Sequence, residues 1–257
     1  MRRPTIGVLT PLGAGPFFGF ALVGVAAAAH KAGARTLVVQ TVDARVGDAH
    51  MDVPDFHVPV GWDHVDGFVV VSNGVGAEYL HRIRAAGKPV VIMCNEVEGF
   101  PCPTVWPDNA SGIREAVLHL VEHGHRRIAF AGNVANKDFR ERRDEYLDAL
   151  RETGIDPDDT LYYDTAGYID SDGVDVGRRM LAESLPSTAI VAGNDQLAFG
   201  IMSALTDAGR SIPGDQAVVG FDDTEASLVV QLSTVTQHVD QIGAAAAELV
   251  LRMLDGE

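Results

Sequence analysis

The chain has 257 residues, 46% of them hydrophobic, which suffices for a large core and falls between one large domain and two ordinary ones. With 20 basic against 36 acidic residues the net charge is −16, the wrong sign for a surface that neutralises phosphates, so this segment alone is not expected to bind DNA well. No apolar run approaches the roughly 20 residues of a bilayer span, and Met1-Arg-Arg leads into no long apolar leader. The two cysteines, Cys94 and Cys102, make no disulfide framework. These features point to a cytoplasmic protein without a membrane segment.

Short β-branched runs alternate with alanine- and leucine-rich stretches from end to end, the pattern of parallel strands joined by crossover helices. Strands are predicted at Ile6 to Thr10, Thr36 to Gln40, Gly67 to Val71, Pro89 to Met93, Arg127 to Ala131, Ala189 to Ala192 and Ala217 to Gly220. The clearest helices are Phe18 to Lys31, Ala77 to Ala86, Ser111 to Glu122, Glu141 to Glu152, Gly173 to Glu183 and Leu197 to Ala208. Gly33, Gly87, Gly124, Gly154 and Gly209 stand just past five of them, where a left-handed residue ends a helix. The rhythm lapses twice. Between Asp43 and His64 there is no helical period, and Asn95 to Pro107 packs three prolines and a glycine into a short span, where the first crossing between two lobes is placed.

Little of the chemistry that enzymes use is assembled here. Gly13-Ala-Gly15-Pro-Phe-Phe-Gly19, with Asp43 further on, follows a strand and opens a helix as a dinucleotide site does. Its spacing is wrong by one residue, however. Pro16 also lacks an amide hydrogen, and Phe17 and Phe18 put bulk where a pyrophosphate needs bare backbone. His119 and His123 have zinc-protease spacing without the glutamate or third ligand, so a polar helix end is the plainer reading. His50, His57 and His64 recur in the irregular insert with no stronger case for a metal. The acidic pairs Asp158/Asp159 and Asp170/Asp172 read as surface charge. Asp222 is different, because Val218-Val-Gly-Phe ends on it at the carboxyl edge of a strand, where open α/β sheets bind ligands. Asn194 and Asp195 stand in the same relation to Ala189 to Ala192.

A series of motifs then becomes specific. Asp108-Asn-x-x-Gly112, Gly124-His-Arg-Arg-Ile-Ala-Phe130 and Arg140-Glu-Arg-Arg-Asp-Glu-Tyr146 are followed by Thr188-Ala-Ile-Val-Ala, Asn194-Asp-Gln-Leu-Ala and Ile212-Pro-Gly-Asp. Val218-Val-Gly-Phe-Asp-Asp-Thr224 and Leu232-Ser-Thr-Val-Thr-Gln237 complete the series. In order and spacing, over nearly the whole chain, this resembles the effector-binding domain of the LacI/GalR family, periplasmic-binding-protein-like of type I, without its helix-turn-helix.

The resemblance implies an α/β fold of two Rossmann-like lobes with parallel sheets: residues 1–98 plus 237–257, and residues 99–236. It implies a sensor rather than an enzyme, with no cofactor and no metal. A sugar or similar polyol is the implied effector, acting through lobe closure. The implied partners are a second copy of the chain and DNA, the latter only through a domain absent from this chain. Carried over by position, the effector contacts are Phe17, Phe18, Gln40, Ser72, Arg142, Tyr168, Asn194 and Asp222. Arg142 and Asp222 are expected to face each other across the ligand, both partly wet, so that removing either weakens binding with little change in stability.

Each contact has a plain structural reading beside it. Phe17 and Phe18 would pack the first helix, Arg142 would be one of a run of surface arginines, and Asn194 would only cap a helix. Pairing of two chains is expected through Tyr79, Leu80 and Ile83 and the insert near Val65. The chain also departs from the family, with Gly15 before the Pro-Phe-Phe turn, Cys94-Asn95 after the fourth strand, and Glu145 before Tyr146. The absence of a head before the first strand and the end at Glu257 fit an excised domain, or the amino-terminal sensor of a longer signalling chain with a kinase or diguanylate cyclase output. A solute-binding protein is the remaining alternative.

Overall fold

The computed structural model describes residues 3–42 and 55–256. Asp43 and His50, and most of the irregular insert with them, lie outside the described residues. The chain divides into two compact units, Met1–Pro107 with His238–Glu257, and Asp108–Gln237.

The first unit holds the strands β1 (Thr5–Thr10), β2 (Arg35–Gln40), β3 (Gly67–Val71), β4 (Val90–Met93) and β5 (Thr104–Val105), all parallel, in the order β2-β1-β3-β4-β5. Its helices are α1 (Pro16–Lys31), α2 (Ala77–Ala85) and α8 (Val239–Asp255). Period-two alternation divides the strand side chains between two cores. Ile6, Val8, Val69, Val71, Val91 and Met93 pack on α1 and α8, whereas Leu9, Phe68, Val70, Val90 and Ile92 pack on α2.

The second unit repeats the plan with β6 (Ile128–Gly132), β7 (Tyr162–Asp164), β8 (Ala189–Ala192), β9 (Ala217–Asp222) and β10 (Ser233–Thr236), in the order β10-β9-β8-β6-β7. The helices α3 (Asn109–Glu122) and α4 (Lys137–Glu152) cover one face, α5 (Asp170–Ala182) and α6 (Asp195–Asp207) the other, and a short α7 (Glu225–Val229) follows β9. Within each unit the chain lays its second strand outside the first, then adds the third, fourth and fifth on the other side. That is a doubly wound sheet with its switch point between the first and third strands.

The glycines expected past five helices all take positive φ, from 71° at Gly87 to 91° at Gly124. The first crossing lies at Pro107–Asp108 rather than after residue 98, because Thr104 and Val105 extend the first sheet by pairing with Ile92 and Met93. The side chains expected to pair two chains are not available. Tyr79, Leu80, Ile83 and Val65 are all buried in their own unit, and the Tyr79 hydroxyl accepts from Trp62 Nε1 at 2.9 Å and donates to the Val58 carbonyl at 3.1 Å. No described helix is long and apolar enough to cross a membrane.

Glycines bring helices together in both units. A Cβ at Gly24 in α1 would overlap the Asp240 carbonyl of α8, and one at Gly200 in α6 would overlap the Asp170 carbonyl of α5.

Candidate functional site

The switch point of the second sheet lies between β6 and β8, at whose carboxyl ends ligands of such folds bind. Arg142 reaches it from α4. Phe139, Arg142, Tyr146, Ala149 and Leu150 recur at helical spacing on the buried face of that helix, so Arg142 points inward while Arg140 and Arg143 do not. It is 3% exposed. Its Nε donates to Asn109 Oδ1 at 2.9 Å, its Nη1 to the Gly193 carbonyl at 2.6 Å, and its guanidinium carbon sits 3.9 Å from the Phe221 ring centre. Asn109, itself buried, turns its amide nitrogen to Asp138 Oδ1 at 2.9 Å and Glu141 Oε2 at 3.0 Å.

Asn194 caps α6, accepting from the Leu197 amide at 2.9 Å, and its amide nitrogen donates to the Tyr168 carbonyl at 2.9 Å. Asn194 is therefore a helix cap, and the same side chain also fixes the loop that carries Tyr168. The Tyr168 ring stacks on Phe139 with centroids 6.0 Å apart, and its hydroxyl has no hydrogen-bond partner among the described residues. Asp172 braces this loop by accepting from the Gly167 and Ile169 amides at 3.2 and 3.1 Å. Asn194→Ala removes a cap and a loop tie together. A loss of about 1 kcal/mol in thermal unfolding is expected, and an unchanged transition contradicts it.

Asp222 ends β9 in a left-handed turn, with φ of 136° there and 57° at Asp223. Gln237 Nε2 donates to its Oδ1. Desolvation, chiefly, pushes the Asp222 carboxyl up to about 7; Asp195 and Asp138 add to the rise, while Arg142 and the Gln237 bond oppose it. Burial likewise raises Asp138 against the pull of Arg142. The folded state thus holds the Asp222 proton more tightly than an unfolded chain with its ordinary 3.8. The group favours folding below about pH 4, and that contribution is lost as the pH rises through about 7. Asp222→Asn, with no charge to desolvate, is expected to exceed the parent by about 2 kcal/mol at about pH 8, with the gap closing at about pH 4. Equal urea stability at the higher pH contradicts this.

The structure thus brings Arg142, Tyr168, Asn194 and Asp222 together in the second unit. One expectation fails there: Arg142, which does face Asp222, is buried rather than partly wet, because its neighbours on α4 set it on the core-facing side. In the first unit, Phe17 and Phe18 open α1 after Gly15 and lie half-buried, edge to face, 5.2 Å apart. Gln40 at the end of β2 accepts from the Gly13 amide at 3.1 Å and donates to the Val42 carbonyl at 3.0 Å, so it braces the same turn. Ser72 follows β3 with φ of 52° and donates its amide to the Met93 carbonyl at 2.9 Å.

Asn109, Asp138, Asp195 and Gln237 are absent from the sequence-derived set. Asp138 had a signal, an acid four residues ahead of an arginine on one helix. Asp195 stood out beside Asn194 at the carboxyl end of a strand without being carried over as a contact, whereas Asn109 and Gln237 come from separate elements and leave no local pattern.

A family model described as a periplasmic binding protein-like domain matches residues 117–257, more than half of the chain. The chain belongs to the periplasmic binding protein-like domain family. It is 29% identical over 197 residues to catabolite control protein A of Priestia megaterium, covering 75% of this chain and 59% of that protein. To the HTH-type transcriptional regulator GalR of Escherichia coli (strain K12) it is 34% identical over 172 residues, 65% of this chain and 50% of that one. The chain therefore spans roughly half to three fifths of these relatives, which are regulators rather than enzymes. Among solved structures, the LacI family transcriptional regulator from Enterococcus faecium with bound ribose superposes with a TM-score of 0.78 at 25% identity, over 98% of this chain and 91% of that one. A LacI regulator from a Rhodococcus species gives 0.80 at 25% identity, over 100% and 92%.

Proposed function

We propose that this chain is the effector-sensing domain of a LacI-type transcription regulator, and that its effector is a sugar or similar polyol held in part by Asp222 and Tyr168, with the buried Arg142 and the capping Asn194 bracing them. The observation that carries the reading is the strand-edge cluster itself. A carboxyl with acceptor capacity, an aromatic face and a phenolic hydroxyl converge at the switch point of a doubly wound sheet, which suits a ligand with an apolar ring face and several hydroxyl groups. The likeness to a regulator with bound ribose supports the same class. Regulation of this kind needs no chemical step. A ligand that binds one conformation better than another shifts the population by that difference.

DNA contact would then belong to a part of the regulator outside this chain, in keeping with the net charge of −16. A dimer and a cytoplasmic location fit the same proposal, with a pairing surface other than Tyr79, Leu80 and Ile83. A thermal-shift screen of pentoses, hexoses, disaccharides, polyols and nucleosides tests the effector class. At least one compound is expected to raise the transition in a concentration-dependent way, and a panel without effect contradicts the reading.

A further inference from the structure

Asp195 is fully buried, and no cation is paired with it among the described residues. Its carboxylate is held by neutral donors. Oδ2 accepts from the Thr224 amide and the Thr224 hydroxyl, both at 2.9 Å, and Oδ1 accepts from the Thr234 hydroxyl at 2.5 Å. The Thr234 oxygen accepts in turn from the Asp223 amide at 3.3 Å. A Cβ at position 220 would overlap Asp195 Oδ1, so Gly220 is the residue of β9 that lets α6 bring this carboxylate against the strand. The atoms that Asp195 grips flank the left-handed turn at Asp222 and Asp223 on both sides, from Thr224 after it and from Thr234 on the neighbouring strand β10. Non-glycine residues hold such φ values only where the surroundings over-determine them.

We propose that Asp195 is a positioning residue for Asp222: its three hydrogen bonds hold the strained turn that presents the Asp222 carboxyl, and it places a second carboxylate facing that group. The proposal rests on the reading of Asp222 as an effector contact for its functional meaning, not for its physics. The charged and titratable groups that face Asp222 are Arg142 and Asp138 from α4 and Asp195 from α6, with the uncharged Gln237 following β10. Arg142 lowers the carboxyl's proton affinity, and the two aspartates raise it. Asp195 differs from Asp138 in being locked by three hydrogen bonds from the very segment it acts on. An effector hydroxyl donating to ionised Asp222 would then have its affinity set by pH.

The test needs no effector. The carboxyl carbon of Asp222 is followed by NMR across pH in the whole chain, in the parent and in Asp195→Asn, Thr234→Val and Thr234→Ser. In the parent the midpoint is expected far above the ordinary carboxylate range. Asp195→Asn is expected to lower it by about one pH unit, since a like charge is removed. If that variant does not fold, Thr234→Val, which deletes one grip on Asp195, is expected to lower the midpoint and expose the Asp223 amide to exchange, with Thr234→Ser restoring both. A merely structural role would lower the unfolding temperature of the variants without moving the midpoint, and that result overturns the proposal. An ordinary midpoint in the parent overturns it as well. A positive titration result with no effector in the sugar panel would sink the effector reading alone.

Discussion

Arg142→Ala is expected to destabilise the chain by about 3 to 5 kcal/mol at about pH 8, the scale of breaking one side of a buried charge cluster. The guanidinium is enclosed, donates to Asn109 and Gly193, and lies against Phe221. Without it those two carbonyl oxygens lose their donor inside the fold, a cost of about 1 to 3 kcal/mol for each buried group left unmatched. Asp222 and Asp138 also lose the cation that, among the described residues, offsets the rise of both carboxyls, with Lys137 remaining beside Asp138 alone. The deficit is expected to shrink as the pH falls, because both carboxyls are raised and can protonate in place. Arg142→Lys restores charge but not the fork, and is expected to recover only part of the loss. Urea denaturation of the three proteins at two pH values checks this. A loss below about 1 kcal/mol would mean that Arg142 is an ordinary surface cation after all.

Gly200→Val is expected to cost about 3 kcal/mol or to prevent the second unit from folding, since overpacking against backbone has no side chain to move aside. The new Cβ meets the Asp170 carbonyl and the Val174 amide of α5, both fixed by that helix's own ladder. Gly24→Val should do the same to the first unit through the Asp240 carbonyl. Gly19→Ala is the control. Among the described residues no atom beyond its chain neighbours and its own helix backbone lies within 4 Å of a Cβ there, so a gain of up to about 1 kcal/mol is expected from helix propensity. Gly200→Val matching the parent in cooperative unfolding would contradict the close approach of α5 and α6.

The α/β plan was legible because both of its periods are written in the sequence. Runs such as Phe68-Val-Val-Val71 read as strands buried on both faces, and Gly33 or Gly209 ends its helix as glycine should. The strands β5, β7 and β10 were not legible. Two to four residues with threonine, tyrosine or serine carry too little pattern, and their pairing partners supply most of the reason they exist. The helix α8 was also passed over, although Ile242, Gly243, Ala246, Ala247 and Val250 form its buried face.

Within the site, Asn194 and Asp222 were visible as polar residues closing apolar strands. Arg142 was visible only by resemblance, and its burial was not. Arg140-Glu-Arg-Arg143 reads as a solvated run until the register set by Phe139, Tyr146 and Ala149 turns one arginine inward. Nor could the sequence show that Asp195, adjacent to Asn194, serves the neighbouring strands. Thr224 and Thr234 lie 29 and 39 residues away from it.

The most direct test of an effector site at the edge of the second sheet is calorimetric titration of the parent chain and Asp222→Asn with ribose and the other compounds of the sugar and nucleoside panel. The account predicts saturable binding of at least one polyhydroxylated compound to the parent, weakened about ten- to a hundredfold in the variant, as loss of a charged hydrogen bond requires. Binding that is equally tight in both proteins, or absent across the whole panel, would contradict it.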